Sequence, residues 1–520
     1  MLPPYHPEGF TDFSDPNNRK EFEEALEYVR SQLGQKYPLV IGGEEHWPGE
    51  TFDSINPARP AEVVGTFAKG TAELADKAVE VAYEAYQKWQ YTPAFERARY
   101  LLKAASEMRR RKHEFSAWMV FETGKSWLEA DGDTAEAIDF MEYYARQIMR
   151  MDKAHEQLYD FYPTEQLDLQ YIALGVGIVI PPWNFPCAIM TGMTTASIVS
   201  GNGVVLKPSS ASPAIAYKLA ELFWEQHIPA GVLNFLPGPG SSVGDRLVDH
   251  RLTRYIAFTG SKEVGLRIFE RAAKVHPGQI WLKRTVLEMG GKDAILVDET
   301  SDLAQAAQDI VSSAFGYQGQ KCSAGSRAII VRDVYDEVSE RVADLTKKLS
   351  TGETDKGPDV YMGPVIDKKA FDSIMEYIRI GREEHTLLAG GNAIETDTNG
   401  YFIEPTVFGD VPGDAKIAQE EIFGPVLAMI PAKDFEDGLN IVNSTEYGLT
   451  GAIFSKDRAR LERARREFHV GNLYFNRKCT GSIVGVHPFG GFNMSGTDSK
   501  AGGPDYLLLF TQAKSIADRM

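Results

Sequence analysis

Cys322 stands in the run GYQGQKCSAGSR, with Gly316 and Gly319 before it, Lys321 beside it and small residues after it. A thiol reacts as its thiolate, which needs access and nearby donors or positive charge. An isolated cysteine is more often a small buried hydrophobe, but these polar, flexible flanks do not suit a packed strand. Cys322 therefore reads as a nucleophile. Glu288, in TVLEMGGKDAILV, sits between an apolar run and the pair Gly290–Gly291. It is either a solvated turn residue or a general base for water, where the glycines permit close backbone approach. Asn184 lies between prolines in PPWNFP. It either makes a turn or offers its amide to a developing oxyanion on a loop the prolines stiffen.

Other stretches carry weaker signals. FTGSKEVG follows an apolar run and opens a helical pattern, so Gly260 and Ser261 could present backbone donors to a pyrophosphate. It lacks G-x-G-x-x-G and equally suits a plain turn. Lys207, in VVLKPSSASP, is either a solvated strand end or a contact for a cofactor hydroxyl or phosphate. Cys187 and Cys479 lie near candidate sites without the flexible, donor-rich flanks of Cys322. The ten histidines are scattered, with no H-E-x-x-H and no C-x-x-C, so no metal site is expected.

The elements that must position these residues follow from texture. From Thr71 to about Met151 apolar residues recur at helical spacing, as in TAELADKAVEVAYEAYQKW and ERARYLLKAASEMRRRKHEF. Thr71 suits an N-cap, with Glu73 and Asp76 near the positive end. From about Ile172, short apolar runs alternate with helical patterns: YIALGVGIVI, GVVLKP, VLNFLPG, YIAFTGS and DAILVD. A second series after Cys322 runs through SRAIIV, TVFGDV, VLAMIPA, GAIFS and NLYFN. Such alternation predicts open, mainly parallel α/β sheets. Two series meeting near Leu287–Asp293 predict two domains with a cleft between them. YLLLFTQAKSIADRM at the end suits either a strand or a helix.

Composition bounds the function. The 520 residues carry 55 basic and 73 acidic side chains, a net charge of −18, which disfavours nucleic acid as a partner. Hydrophobic residues at 43% and charged residues at 25% are those of an ordinary soluble protein. Three cysteines cannot build a disulfide framework, so a cytoplasmic setting is expected. The N-terminal stretch lacks the pattern of a signal or transit sequence, so the mature chain is expected to begin there. No charge occurs from Leu169 to Leu206, but Pro181, Pro182, Asn184, Pro186, Gly201 and Asn202 interrupt the stretch. It reads as buried interior, not a membrane span.

In order, PWNFP, LKPS, FTGS, LEMGGK, GQKCSAGSR, EEIFGPV and HPFGGFNMSG resemble the aldehyde dehydrogenase superfamily over nearly the whole chain from about Tyr37. Within it, AEAIDFMEYYAR, PGQIWLKRTVLEMGGK and FHVGNLYFNRKCTGSIVGVHPFGGFNMSGT are closest to the branch that oxidises glutamate semialdehyde, formed from 1-pyrroline-5-carboxylate in proline breakdown. The resemblance implies Cys322 as nucleophile, Asn184 and the Cys322 N–H as oxyanion donors, and Glu288 as the base for hydrolysis. It implies a dinucleotide held by Ile180, Trp183, Lys207, Ser210, Gly240, Gly260, Ser261, Glu421 and Phe423. Lys207 and Ser210 would approach the adenosine ribose, and Glu421 and Phe423 the nicotinamide ribose. For the substrate it implies Ser323, Gly481 and Ser482 at the carboxylate and Phe185 and Phe489 along the aliphatic part. Arg477 or Lys478 could add charge. Many NAD-preferring members carry Glu where this chain has Ser210, so NAD is expected with tolerance of NADP. An aldehyde dehydrogenase for another small aldehyde, or a catalytically silent structural or binding homologue, is the alternative.

The family organisation implies a Rossmann-like cofactor domain over 1–154 and 175–287 and a catalytic domain over 288–485. It also implies a small β oligomerisation element over 155–174 and 486–520. A homodimer or larger assembly, up to a hexamer, is expected.

Overall fold

Two seven-stranded sheets absorb the apolar runs, and the chain crosses from one to the other between Glu288 and Ala294. The computed structural model describes residues 3–152, 158–159 and 162–519. In the first sheet the order is Arg284–Glu288, Thr253–Thr259, Val176–Ile180, Gly203–Leu206 and Leu233–Phe235, all parallel. Leu39–Ile41 and Glu44–His46 extend it antiparallel. In the second, Thr406–Gly409, Val426–Ala432, Arg327–Val331, Ala294–Val297, Thr450–Phe454 and Asn472–Phe475 are parallel. Thr386–Ala389 closes its edge antiparallel. Parallel strands need helical crossovers on both faces, so they read as continuous apolar runs. Val176–Ile178 and Ala294–Val297 are accordingly buried.

Thr71 caps the helix Ala72–Trp89, its hydroxyl accepting from the Leu74 N–H at 3.3 Å. The next helical pattern is two helices, Ala94–Arg110 and Lys112–Thr123, separated at Arg111 (φ −104°, ψ 22°). Periodicity runs across that break, where Arg111 pairs with Glu114 and with the distant Glu225. The uncharged stretch folds into the strand Val176–Ile180, the buried helix Ala188–Val199 and the strand Gly203–Leu206. Among the described residues no helix is long and apolar enough to cross a membrane.

The C-terminal run forms a short 3₁₀ turn, Tyr506–Phe510, then the strand Thr511–Arg519. That strand pairs antiparallel with Glu165–Ala173 in a two-stranded sheet whose residues are nearly all exposed or half-buried. Residues 153–157 and 160–161 of the expected oligomerisation element lie outside the described residues. Residues 489–501 fold against Glu288.

Candidate active site

The helix Leu303–Phe315 leads into the turn Gly316–Gly319, where Tyr317 and Gln318 take left-handed φ of 50° and 56°. Such a conformation costs about 1–3 kcal/mol for each non-glycine residue and must be over-determined by its surroundings. Here the Tyr317 hydroxyl donates to the Thr123 carbonyl at 3.2 Å, and Gln318 Nε2 to the Pro364 carbonyl at 2.8 Å. The loop that delivers Cys322 is thereby pinned from two sides. Behind it Gly291 has no room for a side chain: a Cβ there would strike the Cys322 carbonyl oxygen and the Asp293 carboxylate. The Gly-Gly pair thus lets the strand carrying Glu288 pass directly against the cysteine loop.

Asn184 is buried and donates through Nδ2 to the Gln320 carbonyl at 3.0 Å, two residues before Cys322. One amide hydrogen is thus used, and the second remains for an oxyanion. Glu288, at the end of its strand, is buried too. Its carboxylate accepts from the Ser499 hydroxyl at 2.6 Å and from the Ser499 and Gly491 N–H groups, both at 3.2 Å. Burial pushes its pKa up from 4.5 to about 7, against those hydrogen bonds. A base near neutrality is what water activation at physiological pH requires. Burial and the carboxylates of Asp293, Glu421 and Glu288 push the Cys322 thiol well up, so ionising it needs a base or a nearby positive charge. Cys187 and Cys479 are fully buried, with Cys479 Sγ 3.5 Å from the Ser323 carbonyl.

Most of the residues expected to hold the cofactor follow the carboxyl ends of the first sheet's strands, where open α/β sheets bind ligands, while Glu421 and Phe423 come from the second series. Ile180 ends its strand, and Lys207 follows the next. Among the described residues the buried Lys207 ammonium meets only the Pro208 carbonyl, at 3.3 Å, and desolvation lowers its pKa to about 8. A buried cation so poorly partnered fits a hydroxyl-bearing ligand. Gly244, in the turn that Gly240 opens, packs on the Lys207 side chain, and Ser210 is exposed nearby in sequence. Ser261 caps the helix Lys262–Ala272, and the Gly260 N–H donates to the Glu288 carbonyl at 3.0 Å. Closer to Cys322, Glu421 accepts from the Gly291 N–H at 3.0 Å, and burial raises it to about 7. Trp183 and Phe423 meet edge to face at 5.5 Å. The set fits NAD: a cation and a carboxylate for ribose hydroxyls, a helix N-terminus, and an aromatic wall.

At the other end, Ser323 is buried, while Gly481 and Ser482 lie on a loop whose Ser482 hydroxyl is 2.8 Å from the Tyr474 hydroxyl. Arg477 turns back on this loop, donating to the Thr480 and Gly481 carbonyls at 2.7 and 3.2 Å. Lys478 points to the same place, its ammonium 3.8 Å from where a Cβ on Gly481 would sit. Phe489, half-buried, lies one residue before the Gly490–Gly491 pair that meets Glu288.

Three groups escape sequence reasoning. Glu129 pairs with Lys321 at 2.7 Å, placing a carboxylate beside the nucleophile's neighbour. Lys125 is fully buried, 4.1 Å from the Phe185 ring centre and 4.0 Å from that of Tyr317, with Asp133 at 3.4 Å. Ser499 positions Glu288. Each is separated by many residues from the group it serves, so local spacing holds no trace of it.

This arrangement is that of a cysteine-dependent oxidoreductase, and the chain belongs to the aldehyde dehydrogenase family, whose model matches residues 18–516. It is 60% identical over 518 residues, covering the whole of both chains, to a 1-pyrroline-5-carboxylate dehydrogenase of Geobacillus sp. strain WCH70. A crystal structure of 1-pyrroline-5-carboxylate dehydrogenase from Thermus with bound NAD shares 49% identity over the full length of both chains, at a TM-score of 0.97. Proline utilization A from Bdellovibrio bacteriovorus matches at 44% identity and a TM-score of 0.96, over 99% of this chain and 53% of that one.

Proposed function

We propose that this chain oxidises L-glutamate γ-semialdehyde, the open form of 1-pyrroline-5-carboxylate, to L-glutamate with NAD, in proline degradation. The observation that carries this is the end-to-end identity with 1-pyrroline-5-carboxylate dehydrogenases around intact Cys322, Asn184 and Glu288. The Cys322 thiol loses its proton to solvent, and the thiolate attacks the aldehyde carbon and forms the C–S bond. The carbonyl oxygen takes the negative charge and receives the Asn184 amide and the Cys322 N–H. Bound NAD supplies the hydride acceptor, and the carbon left on sulfur becomes a thioester. Glu288 then removes a proton from water, whose oxygen attacks the acyl carbon. The C–S bond breaks, releasing glutamate and the thiol.

The substrate carries a carboxylate and an ammonium at the end remote from its aldehyde. Backbone N–H groups of Gly481 and Ser482, with Ser323, receive the carboxylate. Arg477 favours this by occupying the loop's carbonyls, and Lys478 adds positive charge. Glu129 offers a carboxylate to the ammonium. A protein of net charge −18 does not attract an anionic tail as a whole, so these local donors must do it.

NADH formation compared among 1-pyrroline-5-carboxylate, acetaldehyde, succinic semialdehyde and benzaldehyde tests the substrate. The first should be used with the highest kcat/KM, and equal efficiency on all four would sink the assignment. Ser210 puts a small hydroxyl where a carboxylate would repel a 2′-phosphate. NADP should therefore work, less well than NAD. A ratio below about one in a thousand, roughly 4 kcal/mol of discrimination, would count against that reading.

The cofactor domain comprises 1–154 and 175–287, and the catalytic domain 288–485. The exposed two-stranded sheet of Glu165–Ala173 and Thr511–Arg519 supports a homo-oligomer, since exposed edges favour pairing with another chain. Three free cysteines suit a reducing cytoplasm.

A further inference from the structure

Residues 3–11 run over the helix Trp127–Met151 and reach the loop that follows Gly481 and Ser482. Four contacts secure this strap. Arg146 Nε donates to the Pro3 carbonyl at 3.2 Å, and the Glu8 N–H to Asp139 at 2.8 Å. Lys112 donates to the Gly9 carbonyl at 2.8 Å, and the Thr11 N–H to Asp131 at 2.8 Å. Beyond them Phe13 is buried against Phe22 and Trp127. These contacts tie residues 3–11 down on the helix.

At its far end the strap touches the substrate loop. The Tyr5 hydroxyl donates to the carbonyl of Val484, a residue 3% exposed, at 2.9 Å. The Tyr5 ring meets Tyr143 edge to face, centroids 5.2 Å apart. Gly485 sits between these two rings at φ +76°, and a Cβ there would lie 2.7 Å from Tyr5 Cε1 and 3.0 Å from Tyr143. The loop's other side is tied by the Gly485 N–H to the Gly502 carbonyl at 2.9 Å, and Gly502 donates in turn to the Tyr144 hydroxyl at 2.9 Å. Arg477 and Tyr474 hold the loop at its start, and at its end, where the Val484 side chain packs into the core, Tyr5 adds a side-chain hydrogen bond to the backbone.

We propose that Tyr5 is a positioning residue for the 481–485 loop, by which the N-terminal strap sets preference for an aldehyde bearing a carboxylate. It rests on the functional reading above, in which Gly481 and Ser482 receive that carboxylate. Tyr5 touches neither Cys322 nor Glu288 and has no part in the chemical steps. Its hydroxyl fixes the Val484 carbonyl, and thereby the direction in which the preceding N–H groups point. A site that reads a charged group through backbone donors depends on that direction; a site that only admits an aldehyde does not.

The test uses the full chain and the variants Tyr5→Phe and Tyr5→Ala, with 1-pyrroline-5-carboxylate and propionaldehyde as paired substrates. Phenylalanine keeps the edge-to-face contact and removes the hydroxyl, which donates to the Val484 carbonyl and also lies against the Asp139 carboxylate. KM for 1-pyrroline-5-carboxylate should rise about 3- to 10-fold, the range for one neutral hydrogen bond. Its kcat, the KM for NAD and kcat/KM for propionaldehyde should stay within twofold. Tyr5→Ala should widen the difference in the same direction. Equal losses on both aldehydes, accompanied by a lower Tm, would mean that Tyr5 only supports the fold and would overturn the proposal. So would unchanged KM in both variants while the wild type still prefers 1-pyrroline-5-carboxylate. A wild type that does not distinguish the two aldehydes removes the functional reading itself, and the strap's role with it.

Discussion

Cys322→Ala should abolish NADH formation, with kcat at least roughly 10⁴-fold below wild type, as expected when the nucleophile of a covalent mechanism is removed. The thiol contributes the bond that splits the reaction into two steps, and no other side chain can replace it. Cys187 and Cys479 are fully buried, with burial holding both thiols above their ordinary pKa. The variant should fold normally, because Cys322 is not packed in either sheet and alanine fits its loop. NAD affinity measured by fluorescence quenching should stay within a few-fold of wild type, since Lys207, Glu421, Trp183 and Phe423 are untouched. Residual turnover above a few per cent would show that the nucleophile lies elsewhere.

Glu288→Gln should separate the two halves of the reaction. Acylation does not require this carboxylate, so rapid mixing should show a burst of about one NADH per active site. The steady state after it should be about 10²–10⁴-fold slower, the usual contribution of a positioned base. The pH dependence follows from the same residue. A base with a pKa of about 7 is ionised above that value and protonated below it. Wild-type kcat should therefore fall about tenfold per pH unit on the acid side of 7, wherever hydrolysis limits turnover. In Glu288→Gln that acid limb should vanish. Full steady-state activity without a burst would remove Glu288 from deacylation.

Much of this site was legible because its chemistry is written in contiguous stretches. Cys322, Glu288 and Asn184 each stand in a short motif whose glycines and prolines mark a turn, and all three face one region. The strands of both sheets were equally plain: parallel strands buried on two faces leave uninterrupted apolar runs. Helical periodicity was less reliable at Arg111, where one helix ends and the next begins and the side chain pairs with Glu114 in the following turn and with the distant Glu225. The C-terminal run could not be assigned from pattern alone. Whether it became strand or helix depended on the partner at Glu165–Ala173, more than 330 residues earlier by the pairing of Thr511 with Ala173.

The sequence by itself determined the two strand–helix series and the short motifs in which Cys322, Glu288 and Asn184 stand, and it implied that local donors must hold an anion on an acidic protein. These are properties of residue type and near-neighbour spacing. Only the tertiary structure decided how those groups are tuned. Glu288 owes its pKa near 7 to burial under a segment 211 residues away, where Ser499 binds it. Lys321 acquires its carboxylate from Glu129, 192 residues earlier. Tyr5 meets the loop at Val484 across 479 residues. Desolvation and hydrogen-bond direction arise from what packs around a group, and packing brings together residues that chain order keeps apart.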